Sequence, residues 1–231
     1  MAVALTNKTS GENEAATTAN NTASVTLATG DLLIVRTGAF RSAGSLVAPS
    51  SITWNGNNLT SLVARDLIAG FSHESIWYYQ VSSGGSAVVT INYATAPDSV
   101  MWCVDVATGH DTAVLFRDND SAGFAGGASP TITMTSVSGD YAVDIAGFAF
   151  AAATAFGPAG GQTQDYETDL AGDPTGYGCG SKAATGTTIT MNYSGSFGSD
   201  ACILGAVIQQ SPPPAGASRA RQSLFLTHIA A

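Results

Sequence analysis

The chain has 231 residues, of which 45% are apolar and only 11% charged, against roughly a quarter charged in ordinary soluble proteins. The length suits one all-β domain with tails, and the apolar share suffices for a real core. Seventeen acidic and eight basic residues give a formal charge of −9, an acidic body that repels phosphate and speaks against nucleic-acid binding.

Glu and Lys, the residues that favour exposed helix, are limited to Glu12, Glu14, Glu74, Glu167, Lys8 and Lys182. Gly, Ser and Thr abound instead, which suits pleated strands and tight turns. Residues 1–22 are polar and rich in Ala, Thr and Asn, and read as a flexible N-terminal arm. They lack the basic start and apolar run of a secretory signal. No run approaches the ~18 apolar residues of a membrane span.

Strand-like runs then follow near 23–28, 31–40, 51–54, 58–67, 75–82, 86–94, 99–108, 130–136, 140–150, 162–168, 186–194 and 200–209. Gly, Asn, Asp, Ser or Pro separates most of them. Asn55-Gly56 supplies the positive φ angles of a tight hairpin. Within 100–107, Val100, Trp102, Val104 and Val106 share one wholly apolar face, with Met101, Cys103, Asp105 and Ala107 on the other.

The chain repeats itself. Val89-Thr90-Ile91-Asn92-Tyr93 recurs as Ile189-Thr190-Met191-Asn192-Tyr193, with Gly85 and Gly186 before the copies and Cys103 and Cys202 after them. Val25-Thr26-Leu27 leads to Gly30-Asp31, and Ile132-Thr133-Met134 leads to Gly139-Asp140. The expected fold is therefore an antiparallel, jelly-roll-like β-sandwich over 23–210, built by internal duplication from half-repeats at 24–109 and 131–209. Both halves are expected to lend strands to two sheets about 10 Å apart around one core. Asp31 and Asp140 are expected to cap turn amides. Asn92 and Asn192 are expected to bond neighbouring strand ends.

Residues 211–217 form a proline-rich, stiff linker. The last segment, 218–231, carries Arg219 and Arg221 before Leu224, Phe225, Leu226 and Ile229. So many large apolar groups predict docking, either back onto the domain or onto a neighbouring subunit by strand addition.

Chemistry is sparse. Three cysteines, Cys103, Cys179 and Cys202, cannot all pair and match no zinc spacing. Cys103 and Cys202 sit in apolar runs and read as buried thiols, and a disulfide between them is not needed in so large a core. His73, His110 and His228 lack the setting of a catalytic triad, even with Asp111 beside His110. Glu74 and Glu167 are the sole Glu pair outside the arm that could serve glycoside hydrolysis, a weak match. Asp118-Asn119-Asp120, and Asp165, Glu167, Asp169 and Asp173, read as solvated acidic loops rather than calcium sites. Gly176-Tyr177-Gly178-Cys179-Gly180 reads as a flexible turn, since its glycines precede no helix. No catalytic, cofactor-binding or metal-ligating set is assigned. Trp54, Trp77 and Tyr79 are the candidates for stacking on a sugar, with core packing as the plainer reading.

The runs Gly30-Asp31-Leu32-Leu33-Ile34-Val35, Ile52-Thr53-Trp54-Asn55-Gly56-Asn57-Asn58-Leu59-Thr60 and Ile76-Trp77-Tyr78-Tyr79 resemble the sandwich modules of phage structural proteins and bacterial surface proteins. The resemblance implies a non-enzymatic virion protein, a capsid decoration or tail component. Its expected partners are copies of itself, as in a trimer, and other virion proteins, with no nucleic acid, membrane or cofactor. It would be assembled in a host cytoplasm. The alternative is a carbohydrate-binding or adhesion module at a cell surface or outside the cell, with host glycan as its ligand.

Overall fold

The computed structural model describes residues 1–44, 48–67, 71–125, 128–149, 157–169, 175–195 and 200–213. Those residues form seventeen strands and no helix. The first half holds β1 (Ala4–Asn13), β2 (Ala19–Leu27), β3 (Leu32–Phe40), β4 (Ser51–Trp54), β5 (Asn57–Asn58), β6 (Thr60–Asp66), β7 (Ser72–Gln80), β8 (Gly85–Asn92) and β9 (Ser99–Thr108). The second holds β10 (Phe116–Ala125), β11 (Thr131–Thr135), β12 (Tyr141–Ala149), β13 (Gly157–Pro158), β14 (Thr163–Asp169), β15 (Thr175–Ala183), β16 (Thr188–Ser194) and β17 (Asp200–Ile208).

The duplication runs through the topology, with the short β5 the one strand of the first half that lacks a counterpart among the described residues. A five-stranded sheet β1-β9-β3-β7-β6 in the first half matches β10-β17-β12-β15-β14 in the second. The smaller sheet β2-β8-β4-β5 matches β11-β16-β13. Irregularities repeat as well. The register slips at Lys8 on β1 and at Arg117 on β10, and again at Leu62 on β6 and Asp165 on β14. Gly30 (φ 91°) and Gly139 (φ 101°) open equivalent turns. As expected, Asp31 accepts the amide of Ala28 at 2.8 Å and Asp140 that of Val137 at 2.9 Å.

The chain is thus an all-β sandwich protein, but the layering differs from the expectation. Each sheet is made by one half alone, and each half is a sandwich with its own core. Trp54, Val35, Ile52 and Ile91 fill the first, and Phe148, Met191, Tyr193 and Ile203 the second. A third core joins them, where the two five-stranded sheets pack face to face through Ile34, Ile76, Val143, Ile145, Tyr177 and Leu204. The result is four layers, with the large sheets inside and the small sheets outside. β3 is buried at all nine positions because both of its faces are covered, which is why Leu32–Val35 reads as an unbroken apolar run. Edge contacts are reciprocal: β1 lies against β14, and its counterpart β10 against β6, as a pseudo-twofold requires.

Three local expectations are corrected. Residues 4–13 are not part of an arm: they form β1, paired along its length with β9. An edge strand keeps one side in solvent, so its sequence can stay polar. Asp118-Asn119-Asp120 lies within the equivalent edge strand β10, not in a loop. Gly176–Gly180 is no turn but the middle of β15, buried throughout, where glycines admit the neighbouring sheet. Ser211 is held by its amide to Gly109 O at 2.9 Å and by its hydroxyl to His110 O at 2.5 Å. Pro212 and Pro213 follow it in exposed positions, while 214–217 and the segment with Arg219, Arg221, Leu224, Phe225, Leu226 and Ile229 lie outside the described residues.

Candidate functional site

Alternation on β3 turns Arg36 toward the second sandwich, where it is fully buried. Its Nε and Nη2 donate to Asp105 Oδ2 on β9 at 3.0 and 2.5 Å. Nη2 also reaches Asp165 Oδ2 at 2.9 Å, and Nη1 donates to the carbonyls of Asp144 and Gly180, both at 2.8 Å. The bulge on β14 aims Asp165 inward. Burial works to lower the guanidinium pKa, but Asp105, together with Cys103, Cys179 and Asp165 beside it, outweighs that and holds the group above its ordinary range. Burial raises the pKa of Asp105 against the pull of Arg36, and the neighbouring Asp165 carboxylate adds to the rise.

Two further carboxyl groups are sealed nearby. Glu74 on β7 accepts from Ser72 Oγ at 2.5 Å and from Cys202 Sγ at 3.3 Å, and burial pushes its pKa up to about 7. Asp144 points toward the second core, accepting from the Tyr193 hydroxyl, the Gly180 amide and the Gln162 amide. Burial lifts it to about 6. Glu74 is therefore a structural acid between sandwiches. Its proposed partner Glu167 sits on edge strand β14, hydrogen-bonded to Gln164, so the two do not form a catalytic pair.

The other sequence candidates are also dispersed. Trp54 is wholly buried, its indole donating to Val25 O at 3.4 Å, and it is closed to any sugar ring. Trp77 and Tyr79 share a face of β7, half-buried against the first core, and Tyr79 packs on Trp54 with ring centroids 6.4 Å apart. His73 is bonded to Asp66 at 2.7 Å. Burial lowers the pKa of His110, while Asp111 caps the amides of Ala113 and Val114 instead of orienting the imidazole. Asp118 accepts the amide of Thr135. Asp165 belongs to Arg36, Asp173 lies outside the described residues, and so does the side chain of Asp169. Among the described residues no three His, Cys, Asp or Glu side chains could hold a metal ion, and no helix is long and apolar enough to cross a membrane.

The three thiols are free and buried. The sequence aligns Cys103 with Cys202, but the two do not hold equivalent register positions, and Cys103, Cys179 and Cys202 all belong to the core that joins the halves. The register explains the shift. Cys103 pairs with Arg36 on β3, and the equivalent of Arg36 on β12 is Ile145, which pairs with Leu204 rather than Cys202.

The outer layers carry a signal that residue-by-residue inspection misses. None of the strands of the two small sheets contains an Asp, Glu, Lys or Arg. Their solvent faces are mainly hydroxyl and amide ladders, with Val88 exposed among them on the first. On one, Ser24 and Thr26 meet Ser86, Asn21 meets Thr90, and Ser51 meets Asn92. On the other, Thr131, Thr133 and Thr135 stand beside Asn192, Thr190 and Thr188, with Thr133 and Thr190 hydroxyls 2.9 Å apart. Charge sits in the inner sheets, at edges and in turns. In a protein of formal charge −9, the strands of both outer sheets thus carry no charged side chain. No family model matches the chain, and no curated protein or solved structure is significantly similar to it.

Proposed function

We propose that this chain is a non-enzymatic structural protein of a virus particle, a capsid decoration or tail component that works through contacts between subunits. The observation that carries this reading is the pair of uncharged outer faces. Copies of an acidic protein repel one another, and a neutral face is where neighbours can approach without burying unpaired charge. The chemically capable side chains support the same reading. Arg36, Asp105 and Glu74 are spent in the seam between sandwiches, where they join two halves into one block. The segment 218–231, with its apolar residues after Arg219 and Arg221, would dock on a neighbour and add to the face contacts.

The test is assembly. Removing 214–231 spares the anchored Ser211, and oligomer size and incorporation into particles are then measured beside a Thr133→Lys, Thr190→Lys variant. Loss of assembly in folded protein supports the reading. Unchanged assembly in both overturns it. Binding on a glycan array that a folded Trp77→Ala variant loses would replace it with the carbohydrate-binding reading.

A further inference from the structure

Duplication makes each half a control for the other, and the two small sheets differ at one edge. In the first half, β8 is flanked by β2 on one side and by β4 on the other, where Ser51–Trp54 pair with Asn92 to Val89. In the second half, β16 is flanked by β11, but the strand in the lane of β4 is β13, which pairs only Gly157 and Pro158 with Ser194 and Tyr193. The Ala159 amide adds one bond to Asn192 O, and Gly160 (φ 64°) and Gly161 (φ 80°) then turn the chain away. Gln162 Oε1 accepts the Asn192 amide and closes the ladder there.

Past that point the edge of β16 is open. The Tyr193 amide donates to Pro130 O and the Ser136 amide to Thr187 O, so the odd-numbered residues of β16 bond β11. The amides and carbonyls of Thr188 and Thr190 therefore point the other way. Among the described residues no strand or loop pairs with them there. Thr90, the equivalent of Thr190, pairs with Thr53 of β4. Thr188 and Thr190 are exposed, and β16 carries no Lys or Pro, the residues that usually blunt such an edge.

We propose that this edge is an interaction surface that takes segment 222–230 of a second copy as an added antiparallel strand. The inference rests on the subunit-contact reading and names its acceptor. Segment 222–230 contains no Pro, Gly, Asp, Glu, Lys or Arg, and it places Phe225, Thr227 and Ile229, all strand-favouring, on one face. Arg219 and Arg221 lead into it, whereas all seventeen acids lie before residue 214, so the basic lead is drawn to a neighbour's acidic body. Direction selects a neighbour over the same chain. Gln210 donates to Ser138 O in the turn that follows Ser136, and the Ser136 amide is held by Thr187 O, so the chain leaves its body where β16 begins. A strand laid along β16 from there runs parallel to it, whereas every strand pair described is antiparallel. A segment arriving from a neighbour is free to run antiparallel. Each copy then gives one segment and takes one, a head-to-tail contact that closes into a ring such as a trimer.

Thr190→Pro removes the edge amide without touching the bonds to β11, so this variant donates a segment but does not accept one. Removing 214–231 gives a chain that accepts but does not donate. In sedimentation the parent is expected to associate with rising concentration, each altered chain alone to remain a single copy, and an equimolar mixture of the two to form a two-chain species and nothing larger. Either altered chain keeping the parent's size alone, or a mixture that stays as single copies, overturns the proposal and leaves the subunit-contact reading to the outer faces. A parent that stays a single copy at every concentration overturns both. Hydrogen exchange reads the same edge without a proline. The Thr190 amide should exchange about tenfold or more slowly in the associated parent than in the chain lacking 214–231, with Thr90 unchanged. Equal exchange in the two chains overturns the proposal. So does protection that persists on dilution to single copies, which puts the chain's own segment on the edge.

Discussion

Glu74 and Tyr177 hold the same place in the two duplicated sheets, and each lies over the glycine of the opposite half. Glu74 pairs with Gly38 on its own sheet and covers Gly147, while Tyr177 pairs with Gly147 and covers Gly38. A Cβ added at Gly38 would sit 2.5 Å from the Tyr177 ring, and one added at Gly147 would sit 2.6 Å from Glu74 Oε1. The two glycines are what let the large sheets close on each other. Gly38→Ala is expected to destabilise by about 1–3 kcal/mol through overpacking. Tyr177→Leu alone leaves a cavity, but combined with Gly38→Ala it should recover part of the loss. Urea unfolding of the four proteins in a double-mutant cycle measures the coupling, and strict additivity would show that the ring does not meet the added methyl.

The acid at this position makes stability depend on pH. Burial lifts Glu74 to about 7, well above its ordinary value. A raised folded-state pKa means that the native form holds the proton more tightly than the unfolded chain. The contribution is present in full below about pH 4.5 and is lost as pH rises from there to 7. The loss is about 3 kcal/mol for a shift of this size. Asp144, lifted to about 6, adds a smaller loss of the same sign below that pH. Urea midpoints should therefore be lower at pH 8 than at pH 5. Glu74→Gln should raise the pH 8 midpoint and flatten the slope between pH 6 and 7, and an unchanged slope would count against a neutral buried Glu74.

Arg36 is a different case, because its charge is matched. Replacing it with Met removes the donors to Asp105, Asp165 and two carbonyls at once. Breaking one side of a buried ion pair costs about 3–5 kcal/mol. Arg36→Met should be among the most destabilising single changes. Arg36→Lys should recover little, since an ammonium cannot meet four oxygen acceptors arranged for a planar fork. Asp165→Asn should cost far less, because it relieves the competition between two carboxylates. Equal unfolding midpoints for Arg36→Met and Asp165→Asn would contradict this order.

The strands with an apolar side or an apolar run were legible from sequence: Leu32–Val35, Val100–Ala107 and the matched pair around Ile91 and Met191 all lie where pattern places them. The duplication was legible from the same landmarks. The edge strands β1 and β10 were not, because an edge half in water has no need of alternation. β15 escaped because glycine reads locally as turn, while here it makes room for Tyr193, Gln162 and Asp144 around Gly180. The four-layer arrangement was hidden because nothing local says which apolar face meets which. The role of Arg36 stayed hidden for the same reason: it reaches Asp105 and the Gly180 carbonyl, 69 and 144 positions away. The absence of charge from the outer strands was readable, but only once the strands were sorted into inner and outer sheets.

That sorting yields the last expectation. Thr133 and Thr190 face solvent at directly paired positions on the second outer sheet. Their hydroxyls bond each other, and exposed pairs of this kind contribute only a few tenths of a kcal/mol to about 1 kcal/mol. Lysines at both positions put like charges opposite each other at the surface, so a modest loss of stability of up to about 1 kcal/mol is expected. Ser86→Lys on the first outer sheet, placed singly, should be nearly neutral. Contacts between copies respond differently, since a face that packs on a neighbour must desolvate each new ammonium without a partner. Sedimentation at matched concentration, beside thermal unfolding of the same samples, separates the two effects. A shift to smaller species with the unfolding midpoint nearly preserved marks the face as a contact. A distribution identical to that of the parent in both variants would remove the outer sheets from any role in assembly.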